Sequence, residues 1–185
     1  MADIKLVDVS IRDGNQCMWS MTGMGTHQMM QAAPLMERVG FRAIDFTSST
    51  HMAVGVRYHQ DDPWQRIRLM HQALPNVPLQ FISTGFRFIS WETADHDFMR
   101  LAYRTLMKNG IGRFVLLDPM HDMDALMQVA RIVKEEGDAE NMAALTYTLS
   151  DVHDDAFYAN CARQIAASGD FDLLYIKDPS GLLTS

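Results

Sequence analysis

The stretch "DVSIRDGNQC", residues 8–17, closes an apolar run (Ile4, Leu6, Val7, Val9, Ile11) with a cation, an anion and two amides. Polar groups are costly to bury unless they are paired or bind something. Arg12-Asp13-Gly14-Asn15-Gln16 therefore either solvates a loop or lines a site. The run before it reads as a strand over 4–10. Five more segments of the same kind follow at 42–48, 78–84, 113–118, 142–148 and 172–177.

The segments between these strands carry the helical period. In "DDPWQRIRLMHQAL", Asp62 can cap a helix and Pro63 can take its first position. Pro63, Ile67, Met70 and Leu74 then share a face. Phe98, Leu101, Ala102 and Leu106 do the same in the next helix, and Gly110 can close it. Leu126, Val129, Ala130 and Val133 align in the fourth, with Gly137 as its stop; Phe157, Cys161 and Ile165 align in the fifth. The first helix, over 27–39, contains Pro34, which predicts a kink or a late start.

Strand starts recur roughly every 30–36 residues, the length of a βα unit with a parallel sheet. Two folds fit: a doubly wound sheet, or a (β/α)8 barrel, which needs roughly 200–250 residues when complete. The sequence runs out at "IKDPSGLLTS", just after a strand. That suits the sixth strand of a barrel better than the edge of a doubly wound domain. The expectation is an α/β chain, one domain over 1–185, holding about the first six β/α units of a TIM (β/α)8-type barrel.

Composition narrows the function classes. Of 185 residues, 48% are hydrophobic and 21% charged, an ordinary globular balance. The net charge of −7 argues against a nucleic-acid-binding face. No apolar run of about 18 residues exists, so no membrane span is expected. "MADIKLVDVS" lacks the basic and apolar regions of a signal peptide. Two cysteines, Cys17 and Cys161, fit a reducing, cytoplasmic setting. Cys17 reads as a small, partly buried residue, and the 15 methionines as core filling.

The strand ends carry the chemistry. In a parallel barrel the C-terminal strand ends face the active site. In order, those ends read Arg12-Asp13 and Gln16; Asp45; Ser83-Thr84; Asp118; Thr146-Tyr147-Thr148; Lys177-Asp178. Carboxylates at 13, 45, 118 and 178 would repel one another, and a divalent cation with oxygen ligands would relieve this. Lys177 is open to several roles. It could be a Schiff-base nucleophile, a general base, a partner of Asp178 or Asp13, or a carbamate that ligates a metal.

Four stretches carry a resemblance: "DVSIRDGNQC", "VRYHQDDPWQRIRLMHQALPNVPLQ", "LTYTLSDV" and "YIKDPSGLL". Together they resemble the carboxyltransferase domain of the pyruvate carboxylase, oxaloacetate decarboxylase α subunit and transcarboxylase 5S family. That family belongs to the metal-dependent barrels that include hydroxymethylglutaryl-CoA lyase. The resemblance implies Asp13 as a metal ligand, Arg12 as the stabiliser of a keto-acid enolate, and Gln16 as a substrate contact. It implies Lys177 as a carbamylated metal ligand. It further implies a divalent metal (Zn, Mn or Co) and carboxybiotin carried on another domain or subunit.

Three departures from the family pattern stand out. The His-x-His that supplies two further metal ligands on the seventh strand is absent, so another chain or segment is expected to supply it along with the remaining strands. At the third strand end, Ser83-Thr84-Gly85 stands where the family has Leu-Arg-Gly; Thr84 replaces the carboxylate-binding arginine, and Arg87 lies near. At the second, Thr47-Ser48-Ser49 replaces Trp-Gly-Gly, while Asp45 lines the pocket. The open sheet edges of six strands predict self-association or a companion chain. A carbon–carbon lyase or Claisen-type condensing enzyme of the same superfamily, and a non-catalytic scaffolding subunit, are the competing readings.

Overall fold

The computed structural model describes residues 4–88 and 92–184. Six strands are hydrogen-bonded in chain order: β1 (Val7–Asp8), β2 (Ala43–Ser48), β3 (Leu79–Ser83), β4 (Ile111–Leu117), β5 (Glu140–Thr146) and β6 (Leu173–Lys177). The pairs β1–β2, β2–β3 and β5–β6 are parallel. A sequential parallel order with helical crossovers is that of a β/α barrel; a doubly wound sheet would reverse its order part-way. The helices are α1 (Asn15–Trp19), α2 (Thr26–Val39), α3 (Ser49–Val54), α4 (Pro63–Ala73), α5 (His96–Asn109), α6 (Met123–Glu136) and α7 (Asp155–Ser168). No helix among the described residues is long and apolar enough to cross a membrane.

The chain divides into two compact units: Met1–Ile82 with Thr105–Arg113, and Ser83–Arg104 with Phe114–Ser185. In the first, Ile44, Phe46, Ile67, Met70, Leu79 and Phe81 are buried. Asp62 accepts from Trp64 N at 2.9 Å and Pro63 opens α4, as the sequence predicts. Behind that helix start, Arg66 donates to Asp61 at 2.7 Å and to Thr26 Oγ1 at 2.8 Å, tying α4 to the start of α2. Burial pushes the Asp61 carboxyl up, but the bonds from Arg66 and Thr26 outweigh it and hold its pKa at about 2. Pro34 is accommodated inside α2, which starts at Thr26.

In the second unit, α6 buries the predicted face of Leu126, Val129, Ala130 and Val133. Phe114, Val115 and Leu116 of β4 are buried too. Tyr103 packs edge-on against Phe114 at 5.0 Å and donates to Ser83 Oγ at 2.8 Å. Strand β6 differs from the other five: Leu173, Leu174, Tyr175 and Ile176 are each more than a third exposed. Successive residues point to opposite faces, so both faces of β6 are open to solvent.

Three local expectations are corrected. The first strand spans two residues instead of 4–10, because the Asp8 carboxylate accepts from Ser10 N and Ser10 Oγ and turns the chain out of the ladder. Residues Ser10–Gly14 then form a π-type helical turn running straight into α1. The buried face of α5 includes Met99, Ala102, Tyr103 and Leu106, while Phe98 and Leu101 are exposed. The periodicity is right, but the stripe is rotated by about one residue onto Met99 and Tyr103, whose hydroxyl has a buried partner in Ser83. Cys17 is exposed on α1, which is a single short turn with too little surface to cover it.

Candidate active site

The first unit assembles a charged cluster between the turn after β1 and Asp45 of β2. Arg12 is buried, and its guanidinium donates to Asp45 Oδ2 from Nε at 2.8 Å and from Nη2 at 2.5 Å. It also donates from Nη1 to Asp13 Oδ1 at 2.8 Å. Asp45 is 1% exposed, and its Oδ1 has no protein partner. Asp13, by contrast, keeps 39% of its side chain accessible. One buried cation therefore sits between a sequestered carboxylate and a reachable one. Gln16 is exposed one helical turn further on.

One residue beyond those the sequence pattern singles out, His51, completes this cluster with Ser48. His51, 3% exposed, places Nε2 at 3.1 Å from the Arg12 carbonyl and Nδ1 at 2.9 Å from Ser48 Oγ. Burial, reinforced by the Arg12 charge, lowers its pKa to about 4. The available signal was Ser48 three residues before His51, the spacing of a helix N-cap with its N3 residue.

The second unit carries the remaining candidates. Thr84 does not offer its hydroxyl outward: Oγ1 donates to the Arg87 carbonyl at 2.7 Å, and Arg87 N closes the turn onto Thr84 O at 3.3 Å. Gly85 makes that turn with φ +63°, a region that disfavours a side chain. Arg87 leaves the turn exposed and lines a cavity of about 390 Å3 with Phe86, His96, Asp118 and Asp122. Asp118 Oδ1 accepts from Met120 N at 2.7 Å and so shapes its own loop.

Lys177 ends β6 half-buried, with Nζ 6.0 Å from the Tyr175 ring centroid. Asp178 accepts from Leu183 N at 2.9 Å, and the amides of the loop after it hold its carboxyl below the usual range. Asp178 is thus committed to that loop. No group of three or more His, Cys, Asp or Glu side chains able to hold a metal occurs among the described residues.

Six strands in sequential order with alternating helices define an α/β half-barrel, and the comparisons say which proteins it resembles. The chain is 30% identical over 181 residues to a pyruvate carboxylase subunit of Methanocaldococcus jannaschii, covering 98% of this chain and 31% of that protein. It is 29% identical over 180 residues to the 2-oxoglutarate carboxylase large subunit of Hydrogenobacter thermophilus, covering 97% and 27%. The carboxyl transferase domain of Rhizobium etli pyruvate carboxylase, solved with pyruvate and biocytin, superposes with a TM-score of 0.89 at 23% identity, over 98% of this chain and 31% of that one. No protein-family model matches. The chain is a homologue of the carboxylase and carboxyltransferase subunits, and it spans about a third of the length of the curated relatives it matches.

Proposed function

We propose that residues 1–185 contribute the first six β/α units of one carboxyltransferase or decarboxylase barrel, acting through the enolate of a 2-oxo acid of the pyruvate or oxaloacetate kind. Carboxybiotin on a separate domain or subunit is the carboxyl carrier. The observation that carries this reading is the Arg12 cluster: a buried guanidinium fixed beside the accessible carboxylate of Asp13. Three of its five N–H groups are engaged by Asp13 and Asp45. Two remain to meet an oxyanion, already oriented, which is how charge developing in a transition state is best stabilised.

Each unit offers one residue of the kind a divalent cation takes as a ligand. Asp13 leaves Oδ2 outside its bond to Arg12. Lys177, in the second unit, has no carboxylate partner among the described residues; in the carbamate form it would be an oxygen donor. The remaining ligands, the His-x-His, and the strands that cover β6 come from a further segment or subunit, in an oligomer. A metal bound there would supply Lewis-acid polarisation of the keto oxygen. Arg12 shares the enolate charge, Gln16 contacts the substrate, and Asp45 holds Arg12 in place. With Thr84 closed into its turn, Arg87 is the cation left at the third strand end to meet the substrate carboxylate.

The test is metal content and exchange of the pyruvate methyl protons with deuterium, in the complete protein in bicarbonate buffer. Stoichiometric metal and exchange, both lost in Asp13→Ala and Lys177→Ala, support the reading. Exchange that persists in both variants overturns it.

A further inference from the structure

We propose that His51 is a positioning residue: it anchors the main chain of the Arg12–Asp13 turn from β2 and α3, and so aims the groups that would carry the chemistry. This deepens the carboxyltransferase reading and rests on it for the role of Arg12 and Asp13.

For the neutral imidazole the hydrogen bonds leave one proton arrangement. A carbonyl only accepts, so Nε2 carries the ring proton and donates to Arg12 O at 3.1 Å. Nδ1 then accepts from the Ser48 hydroxyl at 2.9 Å, while Ser48 Oγ accepts from the His51 amide at 3.2 Å. Ser48, His51 and Arg12 form a directed chain across 39 residues of sequence. The turn is also held locally, by the Asn15 amide on Arg12 O and Ser10 O and by Asp8 on Ser10, and His51 adds a bond to it from β2 and α3. The residue preceding it, Val9, has no side-chain cap, and the main chain closes it through Gly14 N on Val9 O at 2.9 Å. Asp45 holds the side chain of Arg12, and His51 holds its backbone. With both ends of Arg12 fixed, the carboxylate of the next residue, Asp13, has a defined direction. Burial beside Arg12 keeps the imidazole neutral, the form this chain of bonds requires.

The complete protein, labelled with 15N and 13C, tests this without any substrate. The ring nitrogens of His51 should report the Nε2–H tautomer. Amide exchange at residues 10–14, taken relative to the β4 core amide of Leu116, should rise about tenfold in His51→Phe, the size of one lost hydrogen bond. His51→Gln, whose amide NH2 can replace the Nε2 donor, should restore the protection. Ser48→Ala keeps the ring and should loosen residues 10–14 to an intermediate degree, which preserves the test if His51→Phe does not fold. In the complete protein, His51→Phe should lower kcat more than it changes KM, with rescue by His51→Gln. An Nδ1–H tautomer, or unchanged relative exchange at residues 10–14 in His51→Phe or Ser48→Ala, overturns the proposal. Wild-type protein that shows the tautomer and the protection but turns over no 2-oxo acid removes the carboxyltransferase reading and leaves the anchoring role intact.

Discussion

Arg12 of the first turn and Asp45 of β2 form a buried ion pair in which two guanidinium nitrogens converge on one carboxylate oxygen, at 2.8 and 2.5 Å. Buried charges are tolerated only when paired, and breaking such a pair leaves its partner uncompensated. Asp45→Ala should therefore destabilise the fold by about 3–5 kcal/mol. The loss should appear as a lower urea midpoint at unchanged m-value. A change under about 0.5 kcal/mol would mean that Asp13 alone suffices for Arg12.

His51 makes stability depend on pH. Its pKa is about 4 in the folded protein against the ordinary 6.5. The unfolded chain therefore binds the proton first as pH falls. Stability is full above about pH 6.5, declines between 6.5 and 4, and is then lower by about 3 kcal/mol. Asp61 acts at lower pH: with its pKa at about 2 against 3.8, its contribution is present above 3.8 and lost as pH falls through 2. Thermal melts from pH 7 to 4 should show the first slope, and His51→Gln should flatten it.

Gly110 closes α5 with φ +118°, and a Cβ there would lie 2.6 Å from the His71 ring. Gly110→Ala should cost roughly 2 kcal/mol or more, from backbone strain plus the clash. His71→Ala should recover the part due to the clash and leave the strain. Full recovery would show that the backbone adapts.

Lys177 lies beside Tyr175 with no described carboxylate on it. In 13C-bicarbonate a carbamate carbon signal should appear in the complete protein and vanish in Lys177→Arg, which keeps the charge but cannot form that ligand. A signal that survives the substitution would assign the carbamate to another lysine.

The helices were legible where local chemistry specifies them. Asp62 and Pro63 announce the start of α4, and Leu126, Val129, Ala130 and Val133 mark the face of α6. Capping and burial periodicity act over a few residues and need no distant partner. The first strand was less legible, because Asp8 turns the chain out of the ladder after two strand residues. The α5 stripe was misjudged at Phe98 and Leu101 because the helical period does not choose between adjacent apolar stripes, and the buried one runs through Met99, Tyr103 and Leu106.

The sequence by itself determined the repeated βα alternation, the helix starts and the polar residues that close each strand, since these follow from spacing and side-chain type. It also carried the likeness that pointed to Asp13 and Lys177. Only the tertiary structure decided what those polar residues do to one another. It sequesters Asp45 behind Arg12, turns Thr84 back onto its own loop, commits Asp178 to the residues after it, and brings His51 onto the Arg12 carbonyl. Each of these outcomes depends on a partner's position in space and on the loss of water around it.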